Sequence, residues 1–118
     1  MADTTQHKVF RDALIAEAKR EADDLDKRFE KKDEEYTKKN YTPEVKAIWE
    51  RGKNQYRAMR EHFETQFFQA VGAATTEEKN WDRARRELQD ALFRLAEAYS
   101  KAVGPIRYKK PSPEEKSK

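Results

Sequence analysis

The sequence predicts an all-α fold, either an antiparallel three-helix bundle or an elongated helical coiled coil, followed by a flexible C-terminal tail. Three observations predict it. The chain has only three glycines and four prolines in 118 residues, so few positions interrupt a helix. Two short segments carry the signals of a helix end followed by a new helix start. Elsewhere, apolar residues recur at spacings of three and four, the period of a helix that buries one face.

The first predicted helix spans about residues 4–39. Asp3 or Thr4 can cap its start, and Gln6 stands three residues after Asp3, in the spacing of a capping box. Its middle is dense in acid–base pairs four residues apart, which stabilise a helix by about 0.2–0.5 kcal/mol each. Its apolar face is thin and consists of Leu14, Ala18, Ala22, Leu25, Phe29 and Tyr36. Such a helix depends on packing against its neighbours.

The second predicted helix spans about residues 43–71 and has the strongest amphipathic pattern in the chain. Thr42 is placed to cap it, with Pro43 at the first helical position. Its apolar face consists of Val45, Trp49, Gly52, Tyr56, Met59, Phe63 and Phe67. Gly52 is predicted to let two helix backbones approach closely, roughly level with Leu95, and a hinge is the alternative role for it.

The third predicted helix spans about residues 76–103. Gly72 is expected to end the second helix, and Thr75 with Glu78 has the spacing of a capping box for the third. The apolar face of this helix consists of Trp81, Ala84, Leu88, Ala91, Leu95, Ala98 and Ala102. This regular alternation of threes and fours is typical of helices that pack in bundles.

The chain is predicted to divide into a helical bundle over residues 1–104 and a basic tail over residues 105–118. Gly104 and Pro105 are expected to stop the third helix. The tail is rich in Pro, Ser, Lys and Glu, a composition typical of flexible segments. Residues 1–104 carry 21 basic and 21 acidic side chains, so the tail alone supplies the net charge of +3.

The two connections are only a few residues long, which makes successive helices antiparallel neighbours. The start of the first helix is then expected to lie level with Phe63 and Trp81. At the opposite end of the bundle, Phe29 and Tyr36 are expected to meet Trp49. The same pattern would also serve a dimer in which helical hairpins complete one another's core.

The residue types that build most reaction centres are scarce. The chain has no cysteine, two histidines (His7 and His62) and no glycine-rich phosphate loop. Neither histidine stands three residues after a glutamate, the arrangement of di-iron helical bundles. We therefore expect no catalytic residue, no cofactor and no metal site, and we predict that the protein is not an enzyme.

The absence of cysteine also favours the cytoplasm or another reducing soluble compartment. The N-terminal region lacks the apolar core of a signal peptide. No stretch approaches the roughly 20 apolar residues needed to cross a bilayer, so no membrane span is expected.

Two phenylalanines point away from the predicted apolar faces and are candidate partner contacts. At about 100° per residue, Phe68 lies about 60° beyond the apolar arc of the second helix, and Phe93 lies about 80° outside that of the third. Arg86 is a neighbour of Phe93 on its helix, and an aromatic ring with an arginine is typical of an interface anchor. Single exposed apolar residues are also common on monomers, and the turn near Trp81 could cover Phe68. We predict that at least one of the two rings contacts another chain.

The sequence favours a non-enzymatic protein–protein interaction module, such as an adaptor, assembly factor or inhibitor, that binds a protein partner or a second copy through helical surfaces. The alternative is a small nucleic-acid-associated protein, because basic residues form a stripe on the second helix and recur on the third helix and in the tail. These residues are Lys53, Arg57, Arg60, Arg83, Arg107, Lys109 and Lys110. They could contact phosphates or an acidic partner.

Overall fold

The computed structural model describes residues 3–107 and residue 109, with side chains from residue 7 onward, and contains three α-helices. The helices are α1 (Asp3–Lys38), α2 (Pro43–Ala73) and α3 (Glu78–Arg107). Among these residues there is no strand, and the predicted all-α three-helix bundle is confirmed. Helices of 30 to 36 residues are about 45 to 54 Å long, so the bundle is elongated.

The start of α2 follows the predicted cap. The Thr42 hydroxyl oxygen accepts a hydrogen bond from the Val45 backbone N–H at 3.3 Å, and Pro43 occupies the first helical position. The predicted end of α2 is wrong, because the helix continues through Gly72 to Ala73. The helix ends only where the Thr76 N–H and hydroxyl both donate to the Ala73 carbonyl, at 3.0 and 2.7 Å.

The start of α3 also differs from the prediction. The helix begins at Glu78, and its first hydrogen bond runs from the Trp81 N–H to the Glu77 carbonyl at 3.1 Å. Thr75 and Glu78 therefore do not form the predicted capping box. The Glu78 carboxylate instead accepts a hydrogen bond from Arg11 of α1 at 3.1 Å.

The end of α3 lies four residues beyond the predicted one. Gly104 and Pro105 do not stop the helix, which continues to Arg107. Pro105 lacks the N–H of one helical hydrogen bond, but the next residue, Ile106, is fully buried in the core. Packing of Ile106 therefore outweighs the local signal. Of the predicted tail, residues 108 and 110–118 lie outside the described residues.

α2 and α3 form the closely packed pair of the bundle. At Gly52 of α2, an added Cβ atom would lie 2.7 Å from Ala102 Cβ and 2.9 Å from Ala102 Cα. The predicted close approach of two backbones at Gly52 is thus confirmed. Its partner is Ala102 rather than Leu95, two turns further along α3.

α1 packs less closely and lies along the α2–α3 pair. Its level in the bundle is as predicted, because Phe29 stacks on Trp49 at 5.1 Å and Tyr36 meets the same indole edge-on at 4.9 Å. At the other end, the Arg11 guanidinium lies 5.3 Å from the Trp81 ring. No helix of the described part of the chain is both long and apolar enough to cross a membrane.

Candidate functional site

Large apolar side chains that remain exposed are concentrated at one end of the bundle. Among the described residues, the large apolar side chains classed as exposed are Val9, Phe10, Phe68, Val71 and Phe93. The first two directly precede Arg11, whose guanidinium donates to the carbonyls of Ala74 and Thr76 at 3.3 and 2.8 Å. The start of α1 therefore lies beside the end of α2, which places four of the five exposed residues at the same end.

Phe68 is connected to the core through a series of rings. Its side chain is 62% exposed and meets Phe67 edge-on, with ring centroids 5.4 Å apart. Phe67 in turn stacks on Phe63, which is fully buried, at 6.4 Å. Phe68 is thus held on one side and open on the other, outside the core as its helical angle predicts. Its contact with another chain stays a prediction.

The last turns of α2 and the turn that follows carry no charge. Residues 65–76 contain no charged residue, in a chain of which 42% is charged, and residues 13–16 contain none either. Depletion of charge together with enrichment in aromatic residues is the compositional mark of an interface centre. We call this end of the bundle, with Val9, Phe10, Phe67, Phe68 and Val71, the apolar end. The charge gap over residues 65–76 is a sequence signal that would have found it.

Phe93 belongs to a different surface. It is 67% exposed and lines an open groove between α2 and α3 with Gln55 and Met59 of α2. Met59 precedes Phe68 by nine residues, so the two surfaces are about 13 Å apart along the helix axis. Arg86 is exposed and donates to Asp82, one turn towards the start of α3 and away from Phe93. The structure therefore does not bring Arg86 and Phe93 together.

The basic stripe on α2 is largely neutralised by acidic residues. Lys53 pairs with Asp33 of α1 at 3.4 Å and with Glu50 of α2 at 3.2 Å. The Arg60 guanidinium bonds three carboxylates, those of Asp23 at 3.3 Å, Asp26 at 2.9 Å and Glu64 at 3.0 Å. Arg57 is exposed, but it lines a groove that also contains Glu30 and Glu61. A phosphate approaching this stripe would meet more carboxylates than cations.

The other basic candidates do not extend the stripe. Arg83 and Arg107 are both exposed, and they lie 24 residues apart on α3, about 36 Å along its axis. Lys109 is exposed just beyond the end of α3, and its N–H donates to the Ile106 carbonyl at 2.9 Å. Lys110 lies outside the described residues.

A partly buried polar network joins α1 to α2. The Tyr56 hydroxyl donates to Asp26 Oδ1 at 2.6 Å, and the Arg60 Nε–H donates to Asp26 Oδ2 at 2.9 Å. The Tyr56 ring is buried and stacks on Phe29 at 4.3 Å with an interplanar angle of 5°. Burial, followed by the hydrogen bond to Asp26, raises the pKa of Tyr56 well above its ordinary value. The polar groups of Tyr56, Asp26 and Arg60 are therefore bonded to one another, join α1 to α2, and are not directed at a ligand.

The raised pKa of Tyr56 makes stability sensitive to alkaline pH. In the unfolded chain the tyrosine ionises near pH 10. The contribution of Tyr56 to the free energy of unfolding is therefore complete below pH 10 and is lost as the pH rises towards the pKa of the folded protein. Above pH 10, we expect the free energy of unfolding of the parent protein to fall by about 1.4 kcal/mol per pH unit more than that of the Tyr56→Phe variant, which lacks the hydroxyl group. Guanidinium denaturation of both proteins at pH 8, 9, 10 and 11, followed by circular dichroism, measures this. The difference between the two proteins should be constant from pH 8 to 9 and change between pH 10 and 11, and parallel curves throughout would contradict the prediction.

Among the described residues, the remaining titratable groups form no compact centre. His62 lines an open groove between α2 and α3 together with Glu87 and Asp90 of α3. Within the described residues, no group of three or more His, Cys, Asp or Glu side chains is placed to hold a metal ion. Comparison with protein-family models, with curated proteins and with solved structures finds no match for this chain. A function therefore has to follow from the chain's own residues and geometry.

Proposed function

We propose that this protein is a non-enzymatic protein-interaction module whose apolar end binds a protein partner, as an adaptor, assembly factor or inhibitor does. The observation that supports this proposal is the concentration of exposed apolar side chains at an end of the bundle whose α2 segment carries no charge. Scattered single apolar residues need no explanation on a monomer, whereas a cluster of them marks an interaction site. A cytoplasmic or other reducing soluble compartment remains a prediction.

The apolar end has the chemistry of an interface centre. Aromatic rings give a large contact area and lose little conformational entropy on binding. Phe68 already rests on Phe67, so little ordering is needed when a partner covers its free side. The neighbouring charges on α1 pair within the chain, Lys8 with Asp12 at 2.7 Å and Lys19 with Asp23 at 3.1 Å. The partner surface is therefore expected to be apolar at its centre.

Nucleic-acid binding is the weaker of the two candidate functions. It requires cations that can release counterions from phosphates, and Lys53 and Arg60 are already paired with carboxylates of α1. A complex through the apolar end should tolerate added salt, because it buries uncharged surface. A nucleic-acid complex should weaken steeply over the same range of salt.

The test compares two phenylalanine variants as baits in the native extract. Phe68→Asp is expected to lower partner recovery at least tenfold, whereas the matched variant Phe93→Asp leaves it unchanged. Both positions are exposed, so unfolding free energies should stay within about 0.5 kcal/mol of the parent. Recovery is measured by quantitative mass spectrometry at 0.1 and 0.5 M NaCl.

Two outcomes would overturn this assignment of the binding surface. Loss of the partner with Phe93→Asp alone would place binding in the α2–α3 groove. Equal recovery with the parent and both variants would show that neither ring contacts a partner.

A further inference from the structure

We propose that the partner of the apolar end is a second copy of this chain, so that the protein forms a symmetric dimer through Phe68 and Val71. This inference rests on the proposed function and names the partner of the same surface. Phe68 and Val71 are three residues apart on α2 and therefore lie on the same side of the helix, 62% and 48% exposed. With Phe67 they form an apolar strip along the last turns of α2.

Two-fold symmetry favours an uncharged contact surface. In a symmetric dimer the same patch is present on both partners, so a patch of one charge sign repels its own copy. Residues 65–76 carry no charge, and residues 1–104 carry equal numbers of basic and acidic side chains. Repulsion between like charges at the strip therefore does not oppose the approach of a second copy, and the net charge of +3 lies in the tail.

The charges that flank the strip also favour a second copy over a charged partner. Glu64, one turn before Phe68, pairs with Arg60 within the chain at 3.0 Å. On α1, the Lys8–Asp12 and Lys19–Asp23 pairs are likewise internal. A basic or acidic partner would find these charges already matched and would gain little from them. An identical uncharged strip needs no charge complementarity.

The available area sets the expected strength of the dimer. Phe68 and Val71, 62% and 48% exposed, offer on the order of 200 Å² per copy, and Phe67 and the neighbouring uncharged residues add to it. A stable complex of standard size buries roughly 800 Å² per partner. The contact is therefore smaller than a standard interface, and we expect a weak, reversible dimer.

The test is sedimentation equilibrium of the purified full chain from about 1 to 300 μM in 0.15 M NaCl, a range that reaches the concentrations at which weak dimers form. The parent is expected to pass from monomer to dimer over this range. Phe68→Asp and, independently, Val71→Asp should weaken the dimer at least tenfold, because each places a like charge on both copies of the strip. Phe93→Asp should leave it unchanged. Circular dichroism of each variant confirms that it is folded, and two independent variants guard against a loss of structure in one.

The outcomes separate this inference from the proposed function. A parent that stays monomeric at 300 μM overturns self-association. If that monomer still recovers a partner from extract in a Phe68-dependent manner, the proposed function stands with a different partner. A dimer that survives both Phe68→Asp and Val71→Asp also overturns the inference, because its interface then lies elsewhere.

Discussion

Replacing Gly52 with alanine is expected to lower the free energy of unfolding by about 2 kcal/mol, although alanine is the better helix former. The new Cβ atom would lie 2.7 Å from Ala102 Cβ and 2.9 Å from Ala102 Cα, both closer than van der Waals contact. Neither atom is the end of a flexible side chain, so α3 itself would have to move. Overpacking of this kind costs about 1 to 3 kcal/mol, and the gain of up to about 1 kcal/mol in helix propensity offsets part of it.

The matched control for Gly52 is on the same helix. Gly72→Ala also replaces a helical glycine of α2, but an added Cβ there meets nothing within 4 Å. It should stabilise the protein by about 0.5 to 1 kcal/mol, because only helix propensity changes. Urea denaturation followed by circular dichroism gives both values. Two variants that are equally stabilised would mean that α2 and α3 do not approach closely at Gly52, which would support the hinge.

The fold class was predictable because periodicity and breakers are local properties. Few glycines and prolines, a cap at Thr42 and an apolar repeat of threes and fours are enough to give three helices and their antiparallel order. The level of α1 in the bundle followed from the same order, as the contacts of Phe29 and Tyr36 with Trp49 show.

Helix ends were less predictable, because tertiary packing overrides local signals there. The predicted ends relied on Gly72 and on Gly104 with Pro105, yet buried residues lie just beyond both, Ala74 after α2 and Ile106 in α3. The misplaced helix ends also changed the predicted pairing of α2 with α3. Both the end of α2 and the start of α3 lie two residues later than predicted, so the residue of α3 opposite any given residue of α2 lies four residues later. This shift accounts for four of the seven residues between Leu95 and Ala102.

The candidate surfaces were likewise predictable only where they depend on a single helix. The exposure of Phe68 and Phe93 follows from their helical angle alone, and the structure agrees with it. That Val9 and Phe10 join Phe68 at one end depends on how α1 docks. The pairing of the basic stripe was also missed, because a sequence shows that Asp26 and Arg60 are charged without showing that α1 brings them together.

Replacing Arg11 with methionine is expected to lower the free energy of unfolding by about 3 kcal/mol, the largest effect among the substitutions considered. The Arg11 side chain is only 8% exposed and donates to the carbonyls of Ala74 and Thr76 and to the Glu78 carboxylate. Hydrogen bonds from a charged donor contribute about 1.5 to 3 kcal/mol each. Methionine can fill the apolar space of the side chain, but it removes the cation from the Trp81 ring and leaves the two turn carbonyls without this donor. Glu78 is itself 78% exposed, so water replaces Arg11 as its partner. The expected loss in free energy of unfolding therefore stays near the lower end of the range for the two carbonyl hydrogen bonds.

Arg20 provides the matched control on α1. Its side chain is 68% exposed and pairs with Glu17 on the surface, so Arg20→Met should change stability by no more than about 0.5 kcal/mol. Chemical denaturation gives both free energies, and hydrogen exchange locates the loss. Because Arg11 joins the start of α1 to the α2–α3 turn, Arg11→Met should accelerate exchange in residues 7–16 ahead of the rest of the bundle. Equal stability and equal exchange in the two variants would show that Arg11 does not hold the apolar end together.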